Sequence, residues 1–224
     1  MGAVEIAAGV HAIDLLRVRV HAILEPELTL IDAGLPGSRG RIARYLEAQG
    51  LSLDELRRVI CTHGHPDHAG GVREIAGPGV EVCMHPADYA GLQVGMRDAL
   101  RQPSRGRLFA SITPVPPSFI PVDDGDVLPV LGGLQVVHTP GHTPGSICLY
   151  APRDRLLFTG DVLQRRRSGI VFASQIYSDD HAAARRSVLR LAELEVDTIV
   201  FSHFPPLREH ASAALAELAR KAGG

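Results

Sequence analysis

Apolar residues fall in short runs along this chain, and the period of the runs changes with position. Residues 10–14, 18–24 and 28–32 are three β-rich runs in close succession, which predicts an antiparallel meander. From 38 to 50 the spacing becomes helical: Ile42, Tyr45 and Leu46 share a face, Ser38 stands where an N-cap is wanted and Gly50 where the helix should stop. Ser52 with Glu55 three positions on is a capping box opening a short turn over 52–57. Apolar runs at 58–62 and 80–84 read as buried strands, and His85-Pro86-Ala87-Asp88 opens a helix to about Leu92. Residues 94–118 break the regularity. Arg97, Arg101, Arg105 and Arg107 sit among Pro103, Gly106, Pro114, Pro116 and Pro117, which predicts an irregular, partly helical excursion, read equally well as a solvated loop or a cover over substrate.

A second meander follows, with strands at 119–122, 126–131, 134–138, 146–151 and 155–160 divided by Asp123-Asp124-Gly125-Asp126, Gly132-Gly133 and Pro152-Arg153-Asp154. Residues 163–177 read as a loop. Ser178 is expected to cap a helix over 179–194 with Val188, Leu189, Leu191 and Leu194 on its apolar face; a strand at 196–202 and a helix at 207–221 close the chain. β-rich, α/β, β-rich, α/β is the order of two similar halves. Two sheets face to face with helices outside would bury both apolar sheet faces, so the expected fold is α/β, a single domain over 1–224.

Composition narrows the function classes. With 224 residues, 45% hydrophobic and 21% charged, the chain can bury a sizeable core. A net charge of −2 gives no basic field for nucleic acid, and no apolar run approaches a bilayer span, so neither nucleic acid nor membrane is an expected partner. The N-terminus has neither a basic stretch nor a long apolar one, and Cys61, Cys83 and Cys148 each lie in a strand-like run. A cytoplasmic protein with reduced core thiols is expected. A small molecule is the expected partner, and a homodimer is the one macromolecular partnership entertained.

The candidate chemistry starts in His63-Gly64-His65-Pro66-Asp67-His68, where four of six residues are metal-ligand types on a loop between a strand and a helix. His63 and His65 can face one point; Asp67 and His68, a turn on, can face a second, which suggests two metals. His142 is held between Pro140-Gly141 and Pro144-Gly145. Asp161 and His203 each stand where an apolar strand stops, and a strand-end acid needs a partner that a cation would supply.

Thr62-His63-Gly64-His65-Pro66-Asp67-His68-Ala69-Gly70-Gly71 resembles the signature of the metallo-β-lactamase-fold superfamily; Thr139 to Ser146, Thr159-Gly160-Asp161 and His203 resemble its later motifs in the same order. The resemblance implies an αββα sandwich of two mixed β-sheets flanked by helices. It implies that His63, His65 and His142 bind one divalent metal ion, that Asp67, His68 and His203 bind a second, and that Asp161 bridges them. Zn is the default, with Fe or Mn as other fits. It implies that Asp32 supports the metal loop from behind. An acid at 161 looks like the glyoxalase II, lactonase and phosphodiesterase branches rather than the true β-lactamases. His65 stands where the diiron flavoproteins of this fold carry Glu, which disfavours oxygen reduction.

The expected activity is therefore hydrolysis of a small ester, lactone or thioester by a hydroxide shared between two cations, with Asp67 and Asp161 at the reacting centre. Lactone and ester rank ahead of thioester, because a helical extension used by glyoxalase II for glutathione is not matched after His203. The alternatives are a mononuclear-iron persulfide dioxygenase, a phosphodiester or phosphotriester hydrolase, and a non-catalytic module that kept the fold. Arg165 and Arg166, in the run Gln164-Arg165-Arg166-Arg167, are expected to hold a substrate anion. Tyr177 is expected to donate to a substrate carbonyl, Phe204 to wall the pocket, and Phe172 and Ile176 to form an acyl surface. His11, His21, His85, His181 and His210 match no motif, and His138 is expected to pack rather than to support a ligand.

Overall fold

The computed structural model describes residues 3–101, 105–167 and 169–223. Seven strands form the first sheet, in the order β1 (Ala3–Ala7), β2 (Val10–Asp14), β3 (Arg19–Ile23), β4 (Thr29–Ile31), β5 (Arg58–Ile60), β6 (Glu81–Met84) and β7 (Ile120–Pro121). β1 to β4 run antiparallel and β4 to β7 parallel, with Ile31 beside Ile60. The second sheet carries β8 (Val127–Leu128), β9 (Leu134–His138), β10 (Ile147–Ala151), β11 (Leu156–Phe158) and β14 (Thr198–Val200) in the order β14-β11-β10-β9-β8. Its β11–β14 pair is parallel, so both strands end at the same edge.

Strand periodicity sorts the core into layers, because successive side chains point to opposite faces. Ile31, Ile60 and Cys83 of the first sheet meet Leu134, Ile147, Leu149, Phe158 and Val200 of the second in one buried cluster between the sheets. Their chain neighbours Leu30, Val59, Cys61, Val82 and Met84 face outward into a second cluster with Ile42 and Leu46 of α1 (Arg39–Ala48). Cys148, Tyr150, Leu157 and Ile199 face the other way, against Val188 and Leu191 of α7 (His181–Leu191) and Leu215 and Leu218 of α8 (Ala211–Gly223). The result is helix, sheet, sheet, helix, the αββα sandwich. All three cysteines are buried and unpaired.

Several elements depart from the expectation, each for a local reason. β1 pairs with β2 although its short A-V-E-I-A run carries little strand signal. Residues 119–122 contribute β7 to the first sheet, not to the second meander. Residues 163–177 are a hairpin, β12 (Leu163–Arg166) and β13 (Gly169–Phe172), then a 3-10 turn at Gln175–Tyr177. The cap of α7 is Asp180, whose carboxylate accepts from the Ala183 amide, rather than Ser178, and Leu189 on that helix is exposed. Ser38 makes no side-chain cap to α1, whereas the Ser52–Glu55 capping box is present. The excursion holds α5 (Met96–Arg101) and α6 (Arg105–Ile112). The latter packs on α2 (Pro66–Ala69), on α4 (Pro86–Leu92) and on the 3-10 turn. Pro103 lies outside the described residues, as do the side chains of Arg105 and Arg107.

Candidate metal centre

Parallel pairing brings the site together. β4 and β5 end side by side at Asp32 and the 61–65 loop, and β11 and β14 end side by side before Asp161 and His203. His142 comes from the turn between β9 and β10. Two donor groups result: His63, His65 and His142, and Asp67, His68, Asp161 and His203.

In the first group His142 Nε2 lies 3.2 Å from His63 Nε2 and 3.0 Å from His65 Nδ1. Three imidazoles whose nitrogens converge this closely are hard to reconcile with hydrogen bonding alone. Donors at the Zn–N length of about 2.0–2.1 Å on a tetrahedron stand ~3.3 Å apart, so the group fits a cation. Burial holds all three imidazoles below their ordinary range, His65 at about 3, which leaves them neutral and able to ligate.

The second group is electrostatically different. His68 Nε2 is 3.4 Å from Asp161 Oδ1 and 3.7 Å from Asp67 Oδ2; His203 Nε2 is 3.2 Å from Asp161 Oδ2 and 3.4 Å from Asp67 Oδ2. Burial opposes a charge on His203, but bonding to Asp161 and Asp67 outweighs it and pushes the imidazole up to about 10. His68 is also raised: burial works against its charge, and Asp161, Asp32 and Asp67 overcome it. Burial would raise Asp67, yet His68 and His203 bring it down to about 2, and Asp161 is lowered by the same opposition. Asp161 Oδ2 also stands 3.8 Å from His142 Nε2, so this one carboxylate lies between the two groups.

Supporting bonds fix the rings. Asp32 is fully buried and takes His68 Nδ1–H at 2.8 Å; it also accepts from the Thr62 amide and hydroxyl, and Thr62 Oγ1 lies 3.1 Å from His63 Nδ1. One carboxylate thereby orients His68 directly and His63 through Thr62. Its backbone sits at φ 63°, a left-handed conformation that Asp tolerates better than most residues. His203 Nδ1–H donates to the Arg17 carbonyl at 2.6 Å. Sequence reasoning missed Arg17, whose part is played by its backbone and leaves no side-chain signal.

A cleft of about 400 Å³ opens over the donors, lined by Leu35, His65, Pro66, Asp67, His142, Asp161, Tyr177 and His203. Of the six residues expected to touch substrate, Tyr177 lines it. Arg165, Arg166, Phe172, Ile176 and Phe204 are not among the lining residues. Arg165 donates to the carbonyls of Pro205 and Pro206 and so holds the segment after His203; Arg166 bonds Gln164 at the surface; Phe204 packs edge-on to Phe201 at the outer core. Both arginines of the hairpin are thus engaged with protein partners. Leu35 and Pro66, which sequence reasoning did not assign to substrate, line the cleft beside Tyr177.

His85, Asp123 and His138 form a third group of metal-ligand types. Its nitrogens have other work: His85 Nδ1 accepts the Ala87 amide at the start of α4, which puts the proton on Nε2 toward Asp123, and His138 Nε2 donates to the Pro144 carbonyl. The rings stack at 4.1 Å, an arrangement satisfied without a cation.

The family model of the metallo-beta-lactamase superfamily matches residues 25–203. A probable metallo-hydrolase, YflN, of Bacillus subtilis (strain 168) is 30% identical over 246 residues, covering 97% of this chain and 92% of that protein. The acyl-coenzyme A thioesterase MBLAC2 of Gallus gallus is 37% identical over 155 residues, 60% of this chain and 53% of that protein. Among solved structures, the metallo-beta-lactamase family protein TTHA1429 from Thermus thermophilus superposes with a TM-score of 0.77 at 24% identity, over 97% of this chain and 80% of that one.

Proposed function

The chain belongs to the metallo-beta-lactamase superfamily of metal-dependent hydrolases, and from that premise we propose that it hydrolyses a small thioester, ester or lactone at a centre of two divalent cations. The observation that carries the reading is Asp161, one carboxylate between two donor groups beneath a largely apolar cleft. His63, His65 and His142 would hold one cation, Asp67, His68 and His203 the other, and Asp161 would reach both. Zinc suits this nitrogen-rich set, with iron and manganese as competitors. When bound, such ions supply Lewis acidity toward a carbonyl oxygen and a water ionised near neutral pH.

The remaining work falls to the chain. Leu35, Pro66 and the Tyr177 ring offer an acyl group an apolar wall beside the donors and keep bulk water from the reacting bond. The Tyr177 hydroxyl is the proposed donor to the substrate carbonyl. Asp67, about a third exposed, turns a carboxylate edge to the cleft and is proposed to steer the attacking water. The thioesterase among the relatives brings thioesters level with the lactones and esters favoured by sequence reasoning. Three buried, unpaired thiols in three different apolar clusters support a reducing compartment.

The test is a panel of acyl-coenzyme A thioesters, aryl esters, lactones and phosphodiesters, assayed before chelation, after it, and after zinc is restored. Turnover of a carboxylic acyl substrate should vanish on chelation and return with zinc. Activity confined to phosphodiesters, or acyl hydrolysis indifferent to the chelator, would refute the proposal.

A further inference from the structure

Asp88 lies in the first turn of α4, almost wholly buried, and takes no part in either donor group. Its carboxylate faces the two loops that carry the first histidine group. Oδ2 accepts from the Gly64 amide at 2.6 Å and from the Thr143 hydroxyl at 2.8 Å; Oδ1 accepts from the Gly145 amide at 2.6 Å. Gly64 stands between His63 and His65, and Thr143 follows His142. The two loops belong to different sheets, one after β5 and the other between β9 and β10. Behind Thr143 the network closes: its amide donates to Ser146 Oγ at 3.0 Å, and the two hydroxyls are 2.6 Å apart. Gly145 makes the approach possible, since a Cβ there would stand 2.5 Å from the Asp88 amide nitrogen and 2.7 Å from its Oδ1.

We propose that Asp88 is a positioning residue that clamps these two loops across the sheets and so sets the spacing of His63, His65 and His142 for a cation. It acts through the backbone of Gly64 and Gly145 and the hydroxyl of Thr143, without touching substrate or metal. The carboxylate is the group required, because its two oxygens accept on both sides at once. An amide of the same shape keeps one acceptor and turns an N–H toward a donor. A second tie joins the same loops, from the Ile147 amide to the Thr62 carbonyl at 2.9 Å, and it holds the sheets together when Asp88 is changed. The proposal rests on the metal-centre reading above for its consequence, but the clamp itself is visible without metal.

The experiment compares wild type with Asp88→Asn in two measurements. Amide hydrogen exchange on the metal-free protein should show Gly64 or Gly145 exchanging about ten-fold or more faster in Asp88→Asn, with the Ile147 amide at its wild-type rate, which a general loosening of the fold would not produce. Competition with a chromophoric chelator should show zinc affinity weakened by about 10–100-fold, the range seen when residues that support metal ligands are removed. Thr143→Val should weaken zinc binding less, and Thr143→Ser should restore it. Wild-type exchange and wild-type affinity in Asp88→Asn overturn the proposal; if that variant does not fold, wild-type affinity in Thr143→Val overturns it. A wild-type chain that binds no zinc, while its Gly64 and Gly145 amides still depend on Asp88, overturns the proposed function and leaves the clamp standing.

Discussion

At the scale of residues, the two donor groups hold protons differently, and that difference can be measured. His63, His65 and His142 are kept neutral by burial, whereas His68 and His203 are kept charged by Asp161 and Asp67 despite burial. A cation entering the second group must displace the imidazolium protons, because a ligating nitrogen needs its lone pair. The sign follows. Acid favours the protonated, metal-free state, so affinity rises with pH until His203, at about 10, has lost its proton. Calorimetric titrations with zinc at pH 7 in buffers of different ionisation enthalpy should report the release of about two to three protons for a full load, one each from His68 and His203 and up to one from the water that the cations ionise. Zero release would mean that these rings do not ligate. Residue types and spacing, together with the family resemblance, singled out the seven residues that the structure gathers into the two groups. Asp88 was not, although Asp88 and Leu92 share the buried face of α4 at the i, i+4 spacing, because a carboxylate after His-Pro-Ala reads first as a helix opener.

At the scale of elements, the turn holding His142 is built against the start of α7. Gly141 adopts φ 142°, and a Cβ there would stand 2.5 Å from the backbone nitrogen and Cα of Ala184. The Gly141 carbonyl accepts from the Asp179 and Asp180 amides just before that helix. Gly141→Ala should therefore cost about 2–4 kcal/mol in urea unfolding, from strain and overpacking together. A change within a few tenths of a kcal/mol would show that the turn relaxes freely. The Pro-Gly pairs around His142 announced a rigid turn, but nothing local announced α7 as its support, since that contact spans some forty residues. The hairpin β12–β13 escaped for a related reason: its Gln-Arg-Arg strand carries little apolar alternation, and its shape comes from pairing with β13 and from Arg165 bonding to the carbonyls of Pro205 and Pro206.

At the scale of the whole molecule, the two sheets each supply an incomplete set. The first sheet's loops bring His63, His65, Asp67 and His68; the second sheet's bring His142, Asp161 and His203. Stacking the sheets completes both groups at one edge, and the apolar layer between the sheets fixes how they meet. Layer order was readable from the alternation of meanders and helices, and the placement of β7 was not, because a two-residue strand has no pattern of its own. On the proposed function, substrate choice falls to Leu35, Pro66 and Tyr177, which line the cleft, rather than to the arginine run, and local composition does not encode how the loops fold to place them there. Because the Asp161 carboxylate lies between the two groups, its removal tests the centre most directly. Elemental analysis of purified wild type should find two transition-metal ions per chain, and Asp161→Ala, with its circular dichroism unchanged, should hold fewer. Wild type without transition metal, or Asp161→Ala carrying the full wild-type load, would contradict the account.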